Sequence, residues 1–150
     1  MPRLKTMRAE SAGGVVYRLE DGVVQVVLVG RTAQNTWFLP KGTPLPGEPR
    51  EQTAARETRE ETGLEVRVLE PIGSIQYWFV ADRTRIHKTV YYYLMEPVGG
   101  DLSRHDPEYD RVAWFPIDQA IAVLTYANDA DIVRQAAALI ERRLAARAAS

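Results

Sequence analysis

Short β-branched runs alternate with turn-forming residues through the first forty positions. SAGGVVYRL and VVQVVLVGR are two such runs, separated by Glu20, Asp21 and Gly22. That pattern predicts two strands joined as a hairpin. TWFLP is a third short apolar piece, and the clustered Pro and Gly of the following KGTPLPGEP predict an ordered loop without regular structure. From about Pro49 the pattern changes. REQTAARETREET has no interior Pro or Gly and ends at Gly63, which predicts a helix of roughly fourteen residues.

Beyond Gly63, LEVRVLEPIGSIQYWFV and RIHKTVYYYLME alternate around the turn-like ADR and predict long paired strands, with VAWFP as a further strand. Pro116 and Asp118 open a short helical piece through Leu124. ADIVRQAAALIERRLAARA then predicts a closing helix, with Ile132, Val133, Ala136, Leu139 and Ile140 on one buried face and an alanine-rich end prone to fraying. Strands, helix, strands, helix is an α/β order, and helices on either side of a central mixed sheet account for it.

Composition narrows the class. At 150 residues and 45% hydrophobic, the chain is expected to form one domain, 1–150, with a real core. A net charge of -1 gives no global field to hold a nucleic-acid polymer or an anionic membrane. The chain has no cysteine, no signal-like start and no membrane-length apolar run, so a soluble cytoplasmic protein is expected.

The chemistry concentrates in the first helix. Glu57, Glu60 and Glu61 project from an arc of about 100° on an α-helix. Like charges at these spacings repel by roughly 0.2 to 0.5 kcal/mol per pair, and they lie where the helix dipole already disfavours anions. Arg56 and Arg59 offset part of this. A solvated charged face is the ordinary reading of such a run, and a bound divalent cation is the other.

The wider stretch GTPLPGEPREQTAARETREETGL, residues 42–64, resembles the Nudix box, G-x5-E-x7-R-E-U-x-E-E-x-G-U with U aliphatic. Gly42, Glu48, Arg56, Glu57, Glu60, Glu61, Gly63 and Leu64 fall in place, and only Thr58 departs. Such a match has a chance of order 10⁻⁸ to 10⁻⁹ from average composition. Thr58 falls on the helix side away from the carboxylates, where it bears on packing and not on chemistry. Gly42 to Gly47 has Walker A spacing, but Glu48 and Pro49 follow in place of Lys and Ser or Thr, so no P-loop is present.

The resemblance implies a Nudix-type α/β/α sandwich and Mg²⁺-dependent hydrolysis of a phosphoanhydride bond, with Mn²⁺ as the substitute ion. It implies metal binding by Glu57, Glu60 and Glu61, with the Gly42 carbonyl as a further ligand. Arg56 is expected to orient the cluster through Glu48 or a neighbouring glutamate, and Gly63 to let the chain leave the helix. The general base is left between Glu57 and Glu108, the latter in DLSRHDPEYDRVAWF. Nearby His105 is read as a solvated loop residue.

SAGGVV, LPKG, IGSIQYW and KTVYYYL look most like the diadenosine polyphosphate (Ap4A) hydrolase branch. Lys88 and Tyr92 differ by an even number, so they share a strand face that suits phosphate binding, and Lys41 adds charge beside Gly42. The same branch implies that Tyr77 and Tyr126 hold the base. Each of these could also be an ordinary strand or packing residue. The readings are therefore Ap4A cleavage to ATP and AMP, 8-oxo-dGTP hydrolysis, and a module that senses a nucleotide without cleaving it. A small-molecule nucleotide is the expected partner in each.

Overall fold

A computed structural model describes residues 3–150. The strands are β1 (Lys5–Glu20), β2 (Val23–Arg31), β3 (Thr36–Phe38), β4 (Lys41–Gly42), β5 (Leu64–Ala81), β6 (Thr84–Gly100) and β7 (Arg111–Pro116). The helices are α1 (Arg50–Thr62), α2 (Ile117–Val123) and α3 (Ala127–Ala149), with a short 3₁₀ turn at Leu102–Arg104.

Both expected hairpins form, each through a turn with two left-handed residues: Asp21 (φ 51°) with Gly22 (φ 78°), and Asp82 (φ 48°) with Arg83 (φ 58°). Paired positive-φ residues match the right-handed twist of the strands they join. The sheet runs β3-β2-β1-β6-β5, with β4 on β1 and β7 on β2. β1 and β6 are parallel from Lys5↔Thr84 to Val16↔Met95, while β5 and β6 are antiparallel. The sheet is therefore mixed, as expected.

Its two faces are buried separately. Val15, Tyr17, Val26, Leu28, Val90, Tyr92 and Leu94 pack with Ala120 of α2 and with Ile132, Val133, Ala136 and Ile140 of α3. Ala12, Val16, Val27 and Met95 face the other way, against Ala54 of α1 and Leu64. Adjacent residues thus serve opposite cores, which is why VVQVVLV reads as a continuous run and not as an alternation. No helix among the described residues is long and apolar enough to cross a membrane.

Several boundaries differ from the expected ones. β1 begins at Lys5, six residues before the predicted strand, because β6 supplies a parallel hydrogen-bonding partner to a segment with no apolar pattern of its own. Lys41–Gly42, placed in an irregular loop by its Pro and Gly content, pairs with Ala12 and Gly13. β6 continues to Gly100, the 3₁₀ turn was not foreseen, and α3 starts at Ala127.

Candidate functional site

Helix α1 is seated by polar groups. Its buried residues are Thr53, Ala54, Thr58, Glu61 and Thr62, so only one apolar side chain anchors it. Hydrogen bonds supply the rest. Glu48 accepts from Arg56 Nε at 2.8 Å, Arg56 Nη2 at 3.0 Å and the Thr53 hydroxyl at 2.6 Å, tying the preceding loop to the helix. These bonds, Arg56 first and then Thr53, hold the Glu48 carboxyl down to about 2. Arg56 also reaches the Thr43 carbonyl at 3.1 Å, Glu57 at 2.9 Å and Glu60 at 3.3 Å. It therefore joins Glu48 and the neighbouring glutamates at once, the pairing expected of it.

Gly63 closes the helix with φ 80°, and its N–H donates to Arg59 O at 2.8 Å. A Cβ there would stand 2.2 Å from the Asp101 carbonyl oxygen and 2.8 Å from His105 N. The glycine thus lets the loop after β6 close on α1, where Asp106 N–H donates to Glu60 O at 2.8 Å. That loop carries Glu108 towards the carboxylates.

Glu61 is 1% exposed and its Oε1 accepts the Lys41 backbone N–H at 3.3 Å, while Oε2 has no partner. Burial, then the facing charge of Glu108, then contact with Glu57 push Glu61 up to about 9. Glu57 lies against Gly42, where a Cβ would fall 2.1 Å from its carboxylate carbon. Only a glycine leaves that notch open. The expected three glutamates do not meet at one point: Glu60 turns to Arg56 and is half-exposed, and no group of three possible ligand side chains among the described residues forms a cation site. Glu57 and Glu61 do come together. Glu57, held by Arg56, and Glu61, with one unpartnered buried oxygen, are crowded hard oxygen donors, and they fit a divalent cation such as Mg²⁺.

Beside this helix opens a cavity of about 610 Å³, lined by Arg31, Phe38, Lys41, Ile75, Tyr77, Tyr109, Tyr126 and the segment Ala127–Asp129. Lys41, Tyr77 and Tyr126 were named from sequence and stand together here. Tyr126 is 60% exposed and lies 5.5 Å from Phe38, ring centre to ring centre, so one flat face is open. Lys88 pairs in register with Tyr77, and burial together with the nearby Lys41 ammonium lowers its pKa. The two lysines thus approach one another, as cations sharing an anionic ligand would.

Tyr92 stands elsewhere. It shares the Lys88 strand face as expected, but four residues further along it is 1% exposed, and its hydroxyl donates inward to Asp129 Oδ1 at 3.5 Å. Interior packing surrounds its ring, so the hydroxyl is engaged with Asp129 and does not stand open to a phosphate as expected. His105 Nδ1 donates to the Asp106 carbonyl at 2.6 Å, so its ring helps fix the loop.

Phe38, Tyr109, Arg31 and Asp129 were missed. Arg31 lies over the Tyr109 ring at 4.6 Å. Asp129, 4% exposed, is raised by burial to about 6. A charged residue at the start of an otherwise apolar helix face was the one signal for Asp129. Phe38 and Arg31 read as strand residues, and Tyr109 as a loop residue, until the fold brings them to one wall.

The NUDIX domain matches residues 7–136. A putative mutator protein, MutT4 of Mycobacterium tuberculosis, is 44% identical over 93% of this chain and 59% of its own length. An 8-oxo-(d)GTP phosphatase of Mycolicibacterium smegmatis is 34% identical over 87% of this chain and 41% of its own. The chain therefore spans less than two thirds of either relative. The crystal structure of the Caenorhabditis elegans Ap4A hydrolase aligns with a TM-score of 0.68 and 27% identity, covering 89% of this chain and 99% of that one.

Proposed function

The chain belongs to the NUDIX domain family, and on that premise we propose that it hydrolyses a phosphoanhydride bond in a nucleoside polyphosphate, with Ap4A cleaved to ATP and AMP as the leading reaction. The observation that carries this reading is the junction at Lys41. Its side chain lines the aromatic cavity, while its backbone N–H donates to Glu61 at 3.3 Å. A base held between Tyr77 and Tyr126, beside Phe38, would therefore lead its phosphates past Lys41 and Lys88 to the carboxylate helix.

Glu57, Glu60 and Glu61 would hold the divalent cation, which would supply charge neutralisation at the phosphates and activation of the attacking water. The remaining work falls to the chain. Arg56 keeps Glu57 oriented through its simultaneous bond to Glu48. Glu57 or Glu108 takes the proton as water attacks phosphorus and the bridging oxygen leaves with the other product. Asp129, inside the cavity, is an acceptor for N–H groups on a base edge.

The end-to-end match with the Ap4A hydrolase supports the leading substrate. An 8-oxo-(d)GTP reaction is the second reading, supported by the 34% identity to the 8-oxo-(d)GTP phosphatase of Mycolicibacterium smegmatis. The test is incubation with Mg²⁺ and a nucleotide panel, with products separated by chromatography. ATP plus AMP from Ap4A favours the first, a monophosphate plus pyrophosphate from 8-oxo-dGTP the second. Absence of turnover on every nucleotide rejects both.

A further inference from the structure

The first half of β1, the last part of β5 and the start of β6 form a three-stranded arm that extends beyond both cores. In this arm β6 lies in the middle, with Lys5–Glu10 of β1 on one side and Gln76–Ala81 of β5 on the other. Neither outer strand has a further partner there: β1 meets β4 only at Ala12 and Gly13 and β2 only from Tyr17, and β5 ends the sheet.

The two open edges differ in chemistry. The β1 edge carries Lys5, Arg8 and Glu10, charges that natural sheets use to block pairing with another chain. The β5 edge has no such protection. From Ile72 to Ala81 it holds no charge and no proline. Trp78 is 53% exposed and Val80 61% on one face, and Tyr77 is 36% and Phe79 39% exposed on the other, so apolar side chains line this open backbone on both of its faces.

The inner part of the same edge is covered. Arg143 Nη2 donates to the Leu69 carbonyl at 3.3 Å, and Gln135 lies where a Cβ on Gly73 would be, 2.7 Å away. Arg143 of helix α3 thus caps the backbone of β5 at Leu69, and α3 lies over the sheet face at Gly73. Cover stops where the uncharged aromatic segment begins.

We propose that residues 74–81 of β5 are a self-association edge, which pairs antiparallel with the same segment of a second copy of this chain about a two-fold axis. An uncharged strand meets its own copy without like-charge contacts, and isologous pairing closes at two. Pairing of β5 with the β1 edge of the next copy would continue into a filament, and the charges on β1 oppose it. Tyr77 belongs to this strand and lines the cavity, so the interface borders the substrate wall.

The test is sedimentation of the full chain over a concentration series. Wild type should move towards twice 16.9 kDa as concentration rises. Trp78→Lys and Val80→Lys, both on exposed side chains, should remain monomeric with unchanged circular dichroism, whereas Met7→Lys on the opposite edge should dimerise like wild type. Because the chain has no cysteine, single cysteines placed in turn at 76–80 give an independent readout. Those near the axis should form disulfide-linked dimers on mild oxidation, and Met7→Cys should not. A wild-type monomer at all concentrations overturns the proposal. So does a dimer that persists in both lysine variants, and so does capture of the monomer by anionic vesicles, which would assign the arm to a lipid surface.

Discussion

Thr58 stands where the family motif has an aliphatic residue, and its surroundings explain how it fits. The side chain is fully buried, its hydroxyl has no partner, and it packs against Gly14, where a Cβ would fall 2.9 Å from the oxygen. An orphaned buried hydroxyl costs on the order of 1 kcal/mol or more, and valine has the same shape without it. Thr58→Val should therefore raise the urea midpoint by an amount equivalent to about 1 kcal/mol and leave turnover unchanged. A lowered midpoint would show that the hydroxyl is bonded. Asp129 makes the second prediction at this scale. Burial raises it from 3.8 to about 6, so the folded state disfavours its charged form. Its effect on stability is absent below pH 4, grows as a penalty as pH rises through 6, and is constant above. Asp129→Asn should flatten that slope and leave the protein more stable at pH 8 by on the order of 2 kcal/mol. Urea midpoints from pH 4 to 8 check it, and an unchanged slope would refute it.

Helix α1 depends on its ends more than on its faces. Three glycines near it illustrate what sequence can and cannot convey. Gly47 and Gly63 both have positive φ, but a Cβ on Gly47 meets nothing within 4 Å, whereas one on Gly63 meets the Asp101 carbonyl at 2.2 Å. Gly47→Ala should thus cost only about 1 to 2 kcal/mol, the backbone strain alone. Gly63→Ala should cost clearly more and should also slow turnover, because it pushes away the loop that carries Glu108. Gly42→Ala should behave in the opposite way. Its Cβ meets the far end of the flexible Glu57 side chain, so folding should survive while Mg²⁺-dependent turnover falls by about a hundredfold or more. Equal turnover for Gly42→Ala and wild type would remove Glu57 from the metal site. The helix itself was legible from its lack of interior Pro and Gly. What Gly42 and Gly63 make room for was not, because the groups that approach them come from other elements.

At the scale of the molecule, the cavity joins a base-sized aromatic wall to the carboxylate helix, so base and phosphate contacts should be separable. Stacking on an aromatic side chain is worth roughly 1 to 3 kcal/mol, or about 5- to 150-fold in affinity. Tyr126→Ala should raise KM for Ap4A within that range, Tyr126→Leu nearly as much, and Tyr126→Phe hardly at all. None should change KM for inorganic polyphosphate, which has no base. Equal impairment of both substrates by Tyr126→Ala would make it a packing residue.

By itself the sequence determined the family, the carboxylate set on one helix face, both hairpins and the buried stripe of α3. These are local properties: a motif at fixed spacing, an Asp-Gly turn and a helical period are all written in neighbouring residues. Tertiary structure alone decided four things. It made Lys5–Glu10 a strand by laying it parallel to β6, drew Tyr92 inward to Asp129, and assembled Phe38, Tyr109, Arg31 and Asp129 into one wall. It also left the β5 edge open. Each depends on which strand lies beside which. Alternation along a strand defines two faces, but only the order of strands and the helices laid across them decide how deep each position lies and which distant side chains meet there.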